Sequence, residues 1–419
     1  MSNVRTLALT VAAGLLAVSP GRTAHAQLPL PRLQSLFPAG GQAGQNVDIT
    51  VAGSDFEGVN ALWFDHPGLR AFHLKGLTFR VAIAPGTPPG LHDVRAVSHL
   101  GVSNPRVFLV GEWPESIEIE PNNQPDQARD LALNSVVNGS VAATDIDCFR
   151  FDGRKGQRLF VELWAARIES RLNALIRVYD PQGKEIVEGH ADYAADPFLD
   201  LTLPADGRYT IKLHDVIYAG SNEYSYRLAL HNGPHIDAIL PAAALPGVAN
   251  RFTLLGRKLG GEPRSDVLVE GHPLEAKEVT LVASGSNGEL AGASPGLELV
   301  PALAAARTGF PFQAWGERGK SNPVFVAEAE HPASVEEEPN NDGAHAQRIS
   351  LPCMVAGSFG KVGDADLYRF TATKGQVWWV EVYAERMGSV ADPTFVIQRV
   401  DDKGATQDLA TGDDLPDIG

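Results

Sequence analysis

Glu120-Pro121-Asn122-Asn123 returns as Glu338-Pro339-Asn340-Asn341, a shift of 218 residues. A second, unrelated motif, Ser103-Asn104-Pro105, returns as Ser321-Asn322-Pro323 at the same shift. Two motifs sharing one offset imply that a whole pair of modules was duplicated. Working outward, Pro31, Pro38, Gly44, Gly53 and Gly58 match Pro234, Pro241, Gly247, Gly256 and Gly261, all at a shift of 203. Glycines and prolines at fixed places mark turns with special backbone geometry. Between them Val47, Ile49 and Val51 alternate with polar residues, which puts one face of a strand in a core; Asn250, Phe252 and Leu254 are the counterparts.

The second member of each pair begins at the acidic motif. Asp147-Cys148-Phe149-Arg150-Phe151 answers Asp366-Leu367-Tyr368-Arg369-Phe370, and Lys155-Gly156-Gln157 answers Lys374-Gly375-Gln376, now at a shift of 219. A strand is expected after each Lys-Gly-Gln turn, with Leu159, Val161 and Leu163 on one face, and Trp378, Val380 and Val382 in the later copy. Asp180-Pro181-Gln182-Gly183 has the residues of a type I turn, and Asp401 and Gly404 keep its ends. Asp206-Gly207 turns into Tyr209, Ile211 and Leu213, a further alternating strand. The expected fold is all-β: tandem β-sandwich modules in two repeated pairs, over 27–112, 113–232, 233–330 and 331–419. The last module lacks a counterpart of the 206–207 hairpin and of the strands after it, so it reads as incomplete at its C-terminal end.

Residues 1–26 read as a secretory signal peptide, with Arg5 in the charged segment, an apolar stretch from Leu7 to Val18, and Ala24-His25-Ala26 as the cleavage site. That stretch is too short to span a bilayer, and no later segment is long enough. The chain carries a net charge of -16 and lacks a basic cluster of the kind that follows a phosphate backbone, which argues against nucleic acid as a partner. Forty-two Gly and 29 Pro suit short strands joined by many turns. Cys148 and Cys353 fall at non-equivalent places in different copies and read as small buried hydrophobes.

The EPNN opening followed by Ala128 or Ala346, the D-x-D-x-[FY]-R-F strand, the K-G-Q turn and, in the first copy, the L-P-A-D-G-R-Y-T-I hairpin resemble the bacterial pre-peptidase C-terminal domain family. The segments 27–112 and 233–330 resemble the immunoglobulin-like IPT/TIG class, through a P-x-x-G opening and the closing G-x-S-N-P or G-K-S-N-P. The first resemblance implies a jelly-roll-like sandwich that accompanies secreted peptidases and large exported proteins as an accessory. It also implies calcium as a cofactor, since the similar collagen-binding modules of clostridial collagenases hold that ion with acidic residues of the leading segment.

Glu118, Glu120 and Asn122 at i, i+2, i+4 share one side of an extended segment, with Asp145 and Asp147 approaching from the next strand. Hard oxygen ligands of this kind suit Ca²⁺. Glu336, Glu338, Asn340, Asp364 and Asp366 repeat the set. The competing reading is a solvated acidic linker whose Pro-Asn-Asn ends one module and starts the next.

On the opposite face of the strand after the K-G-Q turn lie Phe160, Glu162 and Trp164, repeated as Trp379, Glu381 and Tyr383. Trp164 and Tyr383 are the candidate ligand-binding residues, able to stack on sugar rings or grip an extended peptide. The same stripe could instead be covered by a loop or a neighbouring module.

No H-E-x-x-H, G-x-S-x-G or Walker-type loop occurs, and His66, His73, His92 and His99 have no zinc-binding spacing. The expectation is an exported, non-catalytic rod of sandwiches, secreted, periplasmic or at the cell surface, with an extracellular polysaccharide or protein as partner. The alternative is the N-terminal accessory region of a secreted peptidase.

Overall fold

The computed structural model describes residues 30–190, 196–269, 271–284, 289–290, 309–316, 318–361, 363–384, 389 and 391–413. The signal-peptide reading lies outside them. The chain is all-β, a series of β-sandwiches, and among the described residues no helix is long and apolar enough to cross a membrane.

In the first sandwich, one sheet has the order Arg32–Phe37, Asn46–Ser54, Thr78–Ile83, Leu69–Lys75, and the other Gly40–Gln42, Arg106–Gly111, Gly90–Ser98, Ala61–Phe64. The alternation read at Ile49 and Val51 points both side chains into a core shared with Phe79, Val81, Val94 and Phe108. Asn104 ties the closing motif to the opening strand: Leu33 N donates to its Oδ1 at 2.9 Å, and its Nδ2 donates to Leu33 O at 3.0 Å. In the third sandwich Asn322 does the same with Ile236, at 2.7 and 3.0 Å. Ser103 and Ser321 likewise each accept a backbone N–H at 2.9 Å, from Ala96 and Ala314.

The second sandwich has two five-stranded sheets. One runs Glu115–Ile117, Ser135–Ser140, Ser225–His231, Arg158–Trp164, Phe198–Thr202. The other runs Arg129–Asp130, Asp147–Gly153, Gly207–Asp215, Ala174–Tyr179, Glu185–His190. Leu159, Val161 and Leu163 face Phe149, Tyr209, Ile211 and Leu213 in a single core. The entering strand Glu115–Ile117 is parallel to Ser135–Ser140, whose other edge is antiparallel to the exiting strand Ser225–His231. Glu115 pairs with Val136 and Val136 with Ala229, so the chain enters and leaves this sandwich at the same end.

The sandwiches on either side of the second one meet: Glu112 accepts hydrogen bonds from Gln313 Nε2 and Lys320 Nζ, both at 3.2 Å.

The strand expected after Lys374-Gly375-Gln376 does not form. Residues 376–384 lie outside every strand, and Trp378, Val380 and Val382 are each at least 38% exposed. The corresponding strand Arg158–Trp164 is held on both edges, by Phe198–Thr202 and Ser225–His231. Among the described residues of this module, Ala333–Val335 pairs with Met354–Ala356, Gln347–Arg348 with Tyr368–Arg369, and Phe395–Val400 with Thr406–Gly412.

Candidate metal centre

The acidic motif is positioned by the edge of the second sandwich. The chain leaves Glu115–Ile117 still in register, with Glu118 N donating to Asn138 O at 2.9 Å. Glu118 then turns its carboxylate over the sheet edge, where Oε1 accepts Ser140 N and Oε2 accepts the Tyr226 hydroxyl, both at 2.6 Å. Gly139 makes room for this, since a Cβ there would collide with Tyr226 and Glu118. Two residues on, Glu120 Oε2 accepts Asn122 N at 2.9 Å, and Asn122 O accepts Cys148 N at 3.0 Å. The second bond pins Asn122 beside the first residue of the strand Asp147–Gly153.

Glu118, Glu120 and Asp147 thereby present carboxylate oxygens within 4.8 Å of one another. A Ca²⁺–O distance of about 2.4 Å sets a span of about 4.8 Å between opposite ligands of one ion, so the cluster has the right size. Asn122 and Asp147 are both fully buried, yet neither oxygen of Asp147 and neither polar atom of the Asn122 side chain has a hydrogen-bond partner. Each orphaned buried group costs about 1–3 kcal/mol, and a bound cation with its ligand shell is one way to satisfy four such atoms at one place. Asp145 stands beside the triad and not in it: it accepts from Asn123 Nδ2 and from Ile146 N.

Burial, with the Glu118 charge next, pushes the Asp147 carboxyl up to about 9, and burial raises Glu118 as well. Carboxyls forced together without a counter-charge hold protons that a divalent cation would displace. The hydroxyl of Tyr226 is raised for the same reasons, burial first and then Asp147.

The later copy repeats the construction. Glu336 Oε1 accepts Ser358 N at 2.6 Å, Glu338 Oε2 accepts Asn340 N at 2.9 Å, and Asn340 O accepts Leu367 N at 3.0 Å. Asn340 is fully buried with its amide unpartnered, and Asp366 Oδ1 has no partner either. Here the carboxylates within 4.8 Å are Glu338, Asp364 and Asp366. Glu336 stands aside with the phenol of Tyr368, 3.4 Å away. Burial, then Glu336, raises Asp366 to about 6. Sequence reading missed the phenol of Tyr226, which lies 108 residues from Glu118 with no local spacing to connect them.

The aromatic stripe is covered in the first copy. Phe160 and Glu162 are buried, and Trp164 is half-buried with the Arg167 guanidinium 3.6 Å over its ring and the core of the first sandwich against it. Ile168 joins that core, and Glu169 accepts Val107 N at 3.1 Å, so a neighbouring module does the covering. In the later copy Trp379 is 95% exposed and Tyr383 half-buried.

No protein-family model matches the chain, and no curated protein matches it. Among solved structures, the pre-peptidase C-terminal domain of a Bacillus anthracis collagenase is 17% identical, over 26% of this chain and 99% of that one, with a TM-score of 0.22. An Aeromonas hydrophila periplasmic inhibitor of g-type lysozyme is 18% identical, over 28% of this chain and 98% of that one, at 0.20. A Bacteroides ovatus protein of a mixed-linkage glucan utilization locus, solved with a heptasaccharide, is 11% identical over 48% of this chain and 52% of that one, at 0.18.

Proposed function

We propose that the chain is an exported, non-catalytic binding protein whose second and fourth modules are each closed by one Ca²⁺ at the acidic entry segment. Glu118, Glu120, Asn122 and Asp147 hold the first ion, with Asp145 beside them; Glu338, Asn340, Asp364 and Asp366 hold the second, with Glu336 beside them. The observation that carries the reading is the unpartnered, fully buried amide of Asn122, matched by that of Asn340 at the equivalent place. A solvated linker would leave such groups wet. The identical hydrogen bonds of Asn104 and Asn322 support a duplicated pair of modules, with IPT/TIG-like and pre-peptidase-like units alternating. The sandwiches would display their surfaces to a polysaccharide or protein outside the cell, after export directed by residues 1–26.

Calorimetric titration of the full chain with CaCl₂ tests the metal reading. Two ions per chain are expected, one for the Asp147→Asn variant and none for Asp147→Asn with Asp366→Asn. No heat, together with no shift of Tm in millimolar Ca²⁺, would overturn it. Export is tested separately by fractionating cells that express the whole chain.

A further inference from the structure

The junction of the second and third sandwiches holds another cluster, of different chemistry. Glu162 lies on the strand Arg158–Trp164, His231 ends Ser225–His231, and His235 begins His235–Leu240, the first strand of the third sandwich. Glu162 pairs across with Ala229, so His231, two residues further, is its diagonal neighbour on the same face of the sheet. Only Asn232-Gly233-Pro234 separates the histidines.

All three side chains are buried, and their ligand atoms lie within 4.8 Å of one another. His231 Nε2 is 3.7 Å from Glu162 Oε2. Neither ring nitrogen of His231 has a hydrogen-bond partner, nor has Nδ1 of His235. Trp113, Phe160 and Phe198 wall the site, with ring centroids 4.6 and 5.2 Å from His231 and 4.3 Å from His235, respectively. Burial brings His231 down to about 4 and His235 to about 3, which keeps both imidazoles neutral with a lone pair to give. Of the nearby cations, Lys258 donates to the carbonyls of Arg158 and Asn232 at 2.7 and 3.3 Å, and the two arginines face carboxylates. Arg167 is shared by Glu162 Oε1 and Asp196, each at 3.0 Å, and Arg257 faces Asp200 at 3.3 Å and Asp237 at 2.7 Å.

We infer that Glu162, His231 and His235 form a site for a divalent transition ion, Zn²⁺ foremost, that fastens the second sandwich to the third. Two imidazoles and a carboxylate are the donor set such ions take, whereas Ca²⁺ prefers an all-oxygen shell. Tetrahedral Zn²⁺ needs ligand atoms about 3.3 Å apart, so the pair at 3.7 Å needs little movement and His235 closes the rest. With His235 on one sandwich and Glu162 and His231 on the other, a bound ion would restrict the angle between them.

The test uses the full chain with excess Ca²⁺ present, so that its outcome is independent of the acidic sites. Titration with Co²⁺ is expected to give the visible absorption of a tetrahedral or five-coordinate ion, saturating at one equivalent and abolished by Zn²⁺. His235→Gln and Glu162→Gln should each weaken binding by at least about 100-fold, more than the loss of an outer-shell partner costs. No visible band in the wild-type chain, or a band that survives both substitutions, overturns the assignment. Should a variant lose its near-UV circular dichroism, anomalous diffraction at the zinc edge from metal-loaded wild-type crystals decides. A peak among the three side chains upholds the site, and zinc found only elsewhere overturns it.

Discussion

Asp147 concentrates the electrostatics of the first acidic site. Its carboxyl ordinarily titrates near 3.8 and is raised to about 9 by burial first and the Glu118 charge second. Between those values the folded state holds a proton that the unfolded chain has released, so stability must fall as pH rises. The Asp147 contribution to the stability of calcium-free protein should therefore fall from about pH 4 to about pH 9, and it is read against Asp147→Asn because the buried His231 and His235 titrate with the opposite sign below about 6.5. Millimolar Ca²⁺ should abolish that slope, and Asp147→Asn should flatten it without metal. Urea titrations of the full chain at several pH values measure all three, and a calcium-free chain whose stability relative to Asp147→Asn rises over this range contradicts the assignment of the buried carboxyl. Glu118, Glu120 and Asn122 were legible from their i, i+2, i+4 spacing, and Asp147 from the acidic start of the next strand. The Tyr226 hydroxyl that orients Glu118 was not, because it arrives through a strand pairing between distant segments.

At the level of elements, the Ser-Asn-Pro motif shows why a short sequence marks a module end. Asn104 substitutes for a missing ladder bond at the start of Arg32–Phe37 by both donating to and accepting from Leu33. Replacing Asn104 or Asn322 by Ala leaves a backbone N–H and a C=O without partners, and each substitution should cost about 1–3 kcal/mol. Differential scanning calorimetry should show the loss in the transition of the affected sandwich alone.

The turns were readable for the same local reason: Gly183 and Gly404 both have φ near +80° and both donate to the Asp three residues back, at 2.9 and 3.0 Å. Alternation over Trp378, Val380 and Val382 was equally clear yet did not predict a strand correctly. Periodicity reports which face a segment would bury, and pairing depends on neighbours that lie elsewhere in the chain.

In the whole molecule, the seams between modules are as specific as the cores. Arg227, buried, makes a bidentate pair with Glu115 at 2.6 and 2.8 Å and also donates to Asn138 Oδ1 at 2.9 Å, while Gly40 of the first sandwich packs directly on its guanidinium. A Cβ at position 40 would meet Arg227 and the Leu109 carbonyl, so Gly40→Ala should destabilise the first sandwich by about 1–3 kcal/mol and loosen it from the second. Limited proteolysis between 111 and 115 is the readout.

Trp164→Ala removes a half-buried aromatic from the same seam. It should cost about 2 kcal/mol, below the roughly 3–5 kcal/mol of a fully buried one, without changing any affinity for polysaccharide. A stable variant that loses polysaccharide binding would instead restore Trp164 as a ligand-binding residue.

The entry and exit of the second sandwich at one end also decide how the chain answers tension. Pulled by the segments before Glu115 and after His231, that sandwich is loaded across its strands, so hydrogen bonds on either side of Ser135–Ser140 yield one after another and not together. A cation bridging Glu118, Glu120 and Asp147 would sit at the far end of the entering strand and tie it to the opposite sheet. In single-molecule stretching the second module should give way at low force without Ca²⁺ and at distinctly higher force with it, which would make the ion a latch against being pulled open.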